Sequence, residues 1–216
     1  MTITLKRFGR KRNSRNNRPE DKMNIFVSGG CKNGKSYYAQ RRAKDLAAGG
    51  PLYYIATMIP HDEEDQARIK RHLLEREGWG FETIEQGKNL LQILDRAKAD
   101  RPDINLSGTF LLDSVTAILE NEMYPVALKE RGEIEFLGED LKAGERVKKD
   151  IVAFARGIEA AGGNVIFVSD GIYGDMGEYS TSTEKYRKAL AGCDRAIAEV
   201  CDRVVEIAYG NEEIWK

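Results

Sequence analysis

The stretch NIFVSGGCKNGKSYYAQ, residues 24–40, largely decides the fold of this chain. It starts with a β-rich apolar run at 24–28, passes through a glycine-rich turn and enters a helical pattern over 35–48. The turn completes the pattern G-x-x-x-x-G-K-[ST] with Gly29, Gly34, Lys35 and Ser36. Because a strand precedes this pattern and a helix follows it, the sequence predicts a phosphate-binding loop (P-loop) at the start of an α/β domain.

The residue types in the P-loop suit the chemistry of a triphosphate. Glycines let the backbone turn tightly and direct N–H groups at phosphate oxygens, and the following helix adds the positive end of its dipole. We expect Lys35 to contact the β- and γ-phosphates as a catalytic residue, and the Ser36 hydroxyl to bind Mg²⁺. The alternative is a glycine-rich turn that binds nothing. The predicted nucleotide-binding segment comprises Gly29, Gly30, Cys31, Lys32, Asn33, Gly34, Lys35 and Ser36.

Beyond the P-loop, strand-like apolar runs alternate with helical patterns. Strands are predicted at 52–57, 81–85, 109–114 and 164–170, and helices at 61–78, at 89–99, from about 115, at 141–161 and at 184–201. Residues 129–140 are interpreted as an excursion loop, and residues 203–216 as two strands about the turn at 209–211. The pattern predicts a P-loop NTPase fold of the RecA-like type. Its sheet should be mostly parallel, with helices on both faces and an antiparallel hairpin at its C-terminal edge.

Two acidic residues come directly after buried-type strands, where ligands bind in such sheets. Asp113 follows the apolar run 110–112 and is the candidate acid for holding Mg²⁺ directly or through water. The alternative for Asp113 is a helix cap for the residues that follow. Asp170 is either a second active-site carboxylate or an ordinary acidic turn, and the sequence favours neither interpretation.

A histidine on the predicted helix 61–78 is a candidate nucleophile. Asp65, Ile69, His72 and Arg76 share one face of that helix through their three- and four-residue spacing. A neutral imidazole can attack phosphorus, so His72 could form a covalent intermediate. On spacing alone, a single helical histidine is more often only a surface residue.

Composition excludes several classes of protein. With 216 residues, 41% hydrophobic and 32% charged, the chain is long enough for a sizeable core and is neither fibrous nor wholly disordered. Its apolar runs, such as 52–56, are too short to span a membrane. An odd number of cysteines, three, with no apolar signal-peptide region indicates a reducing compartment, the cytoplasm. The lack of C-x-x-C spacing and the presence of only two histidines argue against structural zinc. For Cys31 a packed side chain is favoured over a reactive thiol.

The net charge of −1 hides a basic N-terminus. Residues 1–22 contain eight Lys or Arg against two acids, a net of +6 (8 − 2), and show no hydrophobic periodicity. We therefore expect a disordered tail at 1–22 followed by a single P-loop catalytic domain at 23–216. A role in binding nucleic acid or an anionic surface is possible for such a tail, but a tail without a specific partner is the favoured interpretation.

Several motifs together resemble one enzyme family. The P-loop GGCKNGKS, the strand YIAT at 54–57, the run ARIKRH ending at His72 and the segment LLDSVTAILEN at 111–121 are similar to the bifunctional adenosylcobinamide kinase / adenosylcobinamide-phosphate guanylyltransferase family. The resemblance is good over about 24–121. It matches His72 to the histidine that GTP guanylylates, and Asp113 and Asn121 to the family's acid and asparagine.

The resemblance implies two successive reactions on a corrinoid precursor. A kinase step would move the γ-phosphoryl group of ATP or GTP to the hydroxyl of adenosylcobinamide. A second step would pass GMP from GTP through His72 to adenosylcobinamide phosphate, giving adenosylcobinamide-GDP. It also implies a homotrimer and Mg²⁺ as cofactor. The short apolar runs predict no membrane span, and nucleic acid is not the expected partner.

The C-terminal half departs from the family pattern. The family's NEVG and Pro elements are absent after the late strand, where this chain has SDGIYGDMGEYSTST. Tyr186, Arg187 and Asp194 could match the family's later FR pair and asparagine. Two other functions therefore stay open at this point: a P-loop kinase of another small alcohol without guanylyl transfer, and a nucleotide-dependent protein whose basic tail binds RNA.

Overall fold

The computed structural model describes residues 22–60, 62–99, 103–128, 134–140, 142–174 and 177–216. All but the last residue of the expected basic tail, 1–22, therefore lies outside the described residues. Within them, no helix combines the length and apolar character needed to cross a membrane.

Helices and strands alternate along most of the described chain. The strands are β1 (Ile25–Gly29), β2 (Leu52–Ala56), β3 (Glu82–Glu85), β4 (Thr109–Asp113), β5 (Val126–Leu128), β6 (Ile134–Phe136), β7 (Asn164–Val168), β8 (Arg203–Ala208) and β9 (Asn211–Ile214). The helices are α1 (Lys35–Ala47), α2 (Glu63–Glu75), α3 (Gln92–Ala97), α4 (Val115–Met123), α5 (Ala143–Ala160) and α6 (Thr181–Val200).

Seven strands form one sheet in the order β3-β2-β4-β7-β1-β8-β9. All neighbours are parallel except β8 and β9, which form an antiparallel hairpin at the edge. One strand, β7, lies between β1, which leads into the P-loop, and β4, which ends in Asp113. This insertion is the RecA-like strand order, so the expected fold class is confirmed.

Both faces of the sheet are covered, which explains why the central strands are almost continuously apolar. All five residues of β7 are buried, as are four of the five in β1 and in β4. Helix α1 packs on one face through Ala39 and Ala43, while helices α3 to α6 cover the other face. The carboxyl ends of the parallel strands thus remain free to bind ligands at one edge.

Two local features differ from the sequence prediction. Residues 134–136, expected to belong to an excursion loop, form strand β6, which pairs with β5 in a separate two-stranded antiparallel sheet. Helix α6 begins at Thr181 rather than at residue 184, because the Ser180 hydroxyl accepts a hydrogen bond from the Thr183 N–H and caps the helix.

Helix α6 carries a buried carboxyl, Asp194, toward the carboxyl end of β7. Asp194 is only 3% exposed, and it accepts a hydrogen bond from the Tyr173 hydroxyl at 2.9 Å. Burial raises the pKa of Asp194 to about 6, and its polar neighbours Ser169 and Tyr173 offset the increase only in part. The ionised form of Asp194 therefore costs the folded state free energy.

We predict that Asp194→Asn changes how stability depends on pH. The pKa of Asp194 is higher in the folded chain than in the unfolded chain, so its contribution to stability is greatest below pH 4 and is lost as pH rises through 6. The wild-type free energy of unfolding should fall relative to that of the variant by about 2–3 kcal/mol between pH 4 and 7. Urea unfolding across this range measures the difference.

Asp95→Asn is the matched control, because it removes a carboxylate that is already exposed on α3. If wild type and Asp194→Asn keep a constant difference in unfolding free energy from pH 4 to 7, the ionisation cost assigned to Asp194 is wrong.

Candidate functional site

The P-loop turns where β1 passes very close to β8. A Cβ atom on Gly29 would lie 2.3 Å from the Ile207 carbonyl oxygen, so only glycine fits there. Gly34 has φ +87°, a left-handed conformation that glycine adopts without strain, and it is the N-cap residue of α1. The glycines of the motif therefore allow the loop to wrap around the N-terminus of α1.

Lys35 extends into the loop instead of into solvent. Its side chain is 6% exposed, and its Nζ donates a hydrogen bond to the Gly30 carbonyl oxygen at 2.5 Å. The same Nζ lies 2.9 Å from Asp170 Oδ1. Asp170 reaches Lys35 because β7, which precedes Asp170, is adjacent to β1. The backbone N–H of Asp170 donates to the Thr116 hydroxyl. The contact with Lys35 favours an active-site role for Asp170 over that of an ordinary turn residue.

The two residues expected to hold magnesium lie together. Ser36 acts to lower the pKa of the Asp113 carboxyl, although the two residues are far apart in sequence. A hydroxyl and a carboxylate supply the hard oxygen ligands that Mg²⁺ prefers, so the residues present fit this ion. Burial raises the pKa of Asp113, while Ser36, the hydrogen bond from Tyr54 and the charge of His72 act to lower it.

Asp113 is not the cap of the following helix. The side chain of Ser114 caps α4, accepting a hydrogen bond from the Ala117 N–H at 3.3 Å. The Ser114 backbone is itself tied to β2, because its N–H donates to the Thr57 hydroxyl at 2.6 Å. The Asp113 carboxylate is thus left for the site.

His72 lies on the inner, partly buried face of α2. On this helix the predicted face of Asp65, Ile69, His72 and Arg76 is partly or fully buried, while the other positions whose side chains are described are exposed. The charge of His72 acts to lower the pKa of Asp113, although burial raises that pKa overall. His72 thus shares the inner face of α2 with Arg76, the residue that contacts the site.

Arg76 connects the end of α2 to the same carboxylate. Its guanidinium carbon lies 3.6 Å from the centre of the Tyr54 ring, a cation–π contact, and Arg76 is buried. The Tyr54 hydroxyl donates to Asp113 Oδ2 at 3.1 Å. Sequence reasoning did not single out Tyr54 as a site residue, although it begins the YIAT strand that contributes to the family resemblance.

The remaining predicted site residues are placed less centrally. Cys31 is exposed, so the interpretation of a packed side chain is wrong. Lys32 is also exposed, with φ +57°, and the Asn33 amide nitrogen donates to the Ile207 carbonyl oxygen at 3.4 Å.

Asn121 stabilises the neighbouring loops instead of lining the site, because its amide donates to the carbonyl oxygens of Thr57 and Gly87. In the described part of the chain, no three His, Cys, Asp or Glu residues cluster as metal ligands.

Solved structures similar to this one share a small fraction of its sequence. A flagellar accessory protein FlaH from Methanocaldococcus jannaschii is 14% identical, with 90% of this chain and 78% of that chain covered and a TM-score of 0.47. A KaiC-like protein from Pyrococcus horikoshii is also 14% identical, with 89% and 74% covered and a TM-score of 0.45. Comparison with curated proteins gave no significant match.

A family model gives the decisive comparison. The model described as cobinamide kinase / cobinamide phosphate guanyltransferase matches residues 25–213, from the first strand to the last. The match includes the P-loop, α2 with His72, Asp113 and the divergent C-terminal half. The chain therefore belongs to the cobinamide kinase / cobinamide phosphate guanyltransferase family.

Proposed function

We propose that this protein is a transferase of cobalamin biosynthesis that acts twice on one corrinoid. It phosphorylates adenosylcobinamide with ATP or GTP, and then transfers GMP from GTP through His72 to form adenosylcobinamide-GDP. Family membership supports the class of reaction. The observation that carries the proposal is that α2, the helix of His72, is held at the site by contacts: Arg76 packs on the Tyr54 ring, and the Tyr54 hydroxyl donates to Asp113.

In the kinase step the P-loop holds the triphosphate and Lys35 balances its negative charge. The substrate hydroxyl oxygen attacks the γ-phosphorus and loses its proton. The new O–P bond forms as the bond to the bridging oxygen breaks, and the nucleoside diphosphate leaves. Backbone N–H groups and the Lys35 ammonium stabilise charge that develops on the phosphate oxygens. Magnesium, when held by oxygens of Ser36 and Asp113, supplies further positive charge there.

In the guanylyl step His72 is the nucleophile. An imidazole nitrogen attacks the α-phosphorus of GTP, the P–N bond forms, the bond to the bridging oxygen breaks and pyrophosphate leaves, while the ring gives up its N–H proton. A phosphate oxygen of adenosylcobinamide phosphate then attacks the same phosphorus. The P–N bond breaks, and GMP is joined to the corrinoid through a new pyrophosphate linkage.

We predict that Lys35→Ala lowers both transfers by about 100-fold or more, because the main cation at the phosphates is lost. Initial rates of corrinoid phosphorylation and of GMP transfer measure the two effects. Lys149→Ala, which removes an exposed cation from α5, should leave both rates unchanged. A Lys35→Ala enzyme with near-normal rates would rule out the P-loop as the triphosphate site.

His72→Ala should separate the two reactions. We expect phosphorylation of adenosylcobinamide to stay within a few fold of wild type, and acid-labile, alkali-stable labelling of the protein by α-labelled GTP to disappear. Arg71→Ala, which changes the exposed neighbour on the same helix, should keep the label. A label that survives His72→Ala would remove this histidine from the mechanism and favour a simple P-loop kinase.

Arg76→Gln should weaken GMP transfer selectively, because the cation–π contact with Tyr54 fixes the end of the helix that carries His72. We expect roughly a tenfold loss in the rate of guanylylation and a smaller loss in the kinase rate. Arg76→Lys, which keeps a cation over the ring, should recover part of the difference. Equal losses in both reactions for Arg76→Gln would mean that Arg76 serves general folding.

The other expectations follow from the same proposal. We propose Mg²⁺ as cofactor, ATP and GTP as co-substrates, a cytoplasmic location and a homotrimer as the family resemblance implies. We also propose that 23–216 forms one catalytic domain and that 1–22 is a tail without an essential role in catalysis. Comparing the full chain with a chain beginning at Met23 tests the last point, since equal rates and equal salt dependence of RNA binding are expected.

A further inference from the structure

Two aromatic rings lie at the surface directly beside the P-loop. Tyr37 follows Ser36 in the first turn of α1 and is 59% exposed. Trp79, in the loop between α2 and β3, packs edge-on against it, with ring centroids 5.8 Å apart and planes at 78°. The pair joins the helix that starts at the P-loop to the segment that follows His72.

Two cations flank these rings along the same helix. The Arg41 guanidinium lies 6.0 Å from the centre of the Tyr37 ring, and the Lys44 ammonium lies 5.5 Å from the centre of the Trp79 ring. Tyr37, Arg41 and Lys44 form one outward stripe of α1, opposite the alanines that pack on the sheet. The rings are therefore held in place by their neighbours while the Tyr37 ring remains largely accessible.

We propose that the purine base of the triphosphate held by the P-loop stacks on the accessible face of the Tyr37 ring, which Trp79 supports edge-on; we call this pair the stacking platform. This inference rests on the proposed function. The loop N–H groups cradle the α- and β-phosphates and Lys35 reaches the β- and γ-phosphates, so we place the nucleoside beyond the α-phosphate, on the side of the residues after Ser36. Tyr37 is the first of those residues.

The position of His72 points to the same side of the loop. The α-phosphorus must come within reach of His72 on α2, and that helix is tied to the end of β4 because Arg76 packs on Tyr54, whose hydroxyl donates to Asp113. The loop that leaves α2 carries Trp79 back to α1. A nucleoside whose α-phosphorus faces His72 therefore has its base beside the Tyr37–Trp79 pair.

A second exposed aromatic residue provides the main competitor. Tyr209 is 93% exposed in the turn between β8 and β9. Strand β8 borders β1 on the side opposite to β7 and β4, so a base at Tyr209 would draw the nucleoside away from Asp113 and His72. The Tyr37 side is thus favoured for the nucleotide that is attacked at its α-phosphorus.

Stacking explains why both purine triphosphates can be bound. An aromatic face contacts the π-surface of a base and does not read its hydrogen-bonding edge. The platform should therefore bind guanine and adenine alike. GTP and ATP should then bind more tightly than inorganic tripolyphosphate, which has no base.

The chain contains two tryptophans, which allows a direct optical test. In the Trp215→Phe protein, Trp79 is the single tryptophan, and its fluorescence is titrated with GTP, ATP and inorganic tripolyphosphate in the presence of Mg²⁺. We expect both nucleotides to quench Trp79 and tripolyphosphate to leave it nearly unchanged. Dissociation constants for all three are measured in parallel by calorimetry.

In the same background, Tyr37→Ala should weaken GTP and ATP binding by about 5- to 100-fold, the effect expected for one lost stacking partner. Its affinity for tripolyphosphate should stay within about twofold of the parent, and Tyr37→Phe, which keeps the ring, should bind all three as the parent does. Tyr209→Ala is the matched control for removing an exposed tyrosine and should bind GTP normally.

Three results would overturn the platform. Tyr37→Ala could leave GTP affinity unchanged, or weaken GTP and tripolyphosphate equally, or Tyr209→Ala could be the variant that loses nucleotide selectively. In each of these cases the parent still binds GTP, so the proposed transfers stand and only the base site is wrong. A parent protein that binds no nucleotide at all contradicts both the platform and the proposed function.

Discussion

The close approach of the β1 backbone to β8 is the constraint on which the site depends. At Gly29 there is no room for a side chain, because a Cβ atom would clash with the Ile207 carbonyl oxygen. The P-loop therefore begins where β1 lies directly against β8. The neighbouring strand β7 then brings Asp170 to Lys35, and α1 begins with its N-terminus at the carboxyl edge of the sheet. The N-terminus of α1, the Lys35 ammonium group and the Asp170 carboxylate thus meet at the P-loop, next to the position that requires glycine.

A second set of contacts joins the P-loop to α2. Asp113 is the common partner: the Tyr54 hydroxyl donates to it, and Ser36 and the charge of His72 act to lower its pKa. Arg76 packs on Tyr54 and holds the end of α2 near the site, although most of that helix is exposed. In the proposed function, this one acid serves both a phosphoryl transfer supported by the loop and a nucleotidyl transfer that begins at the histidine, without two separate nucleotide sites.

Sequence reasoning succeeded where local pattern and topology agree. The P-loop, the buried strands and the inner face of α2 were predicted because each has a residue spacing or a hydrophobic period that is visible within one short segment of sequence. The contact of Tyr54 with Asp113 and the packing of Tyr37 on Trp79 join segments far apart in the chain, and no spacing rule relates them. The hairpin of β5 and β6 was missed because its second strand, at 134–136, is only three residues long and lies in a glycine- and glutamate-rich segment.

The most direct test of this account is a calorimetric titration of the full chain with GTP and with ATP, with and without Mg²⁺. The account requires one site per chain whose affinity for either triphosphate depends on magnesium, because Ser36, Asp113 and the P-loop act on the same phosphates. Folded protein that shows no magnesium-dependent binding of either nucleotide would contradict it.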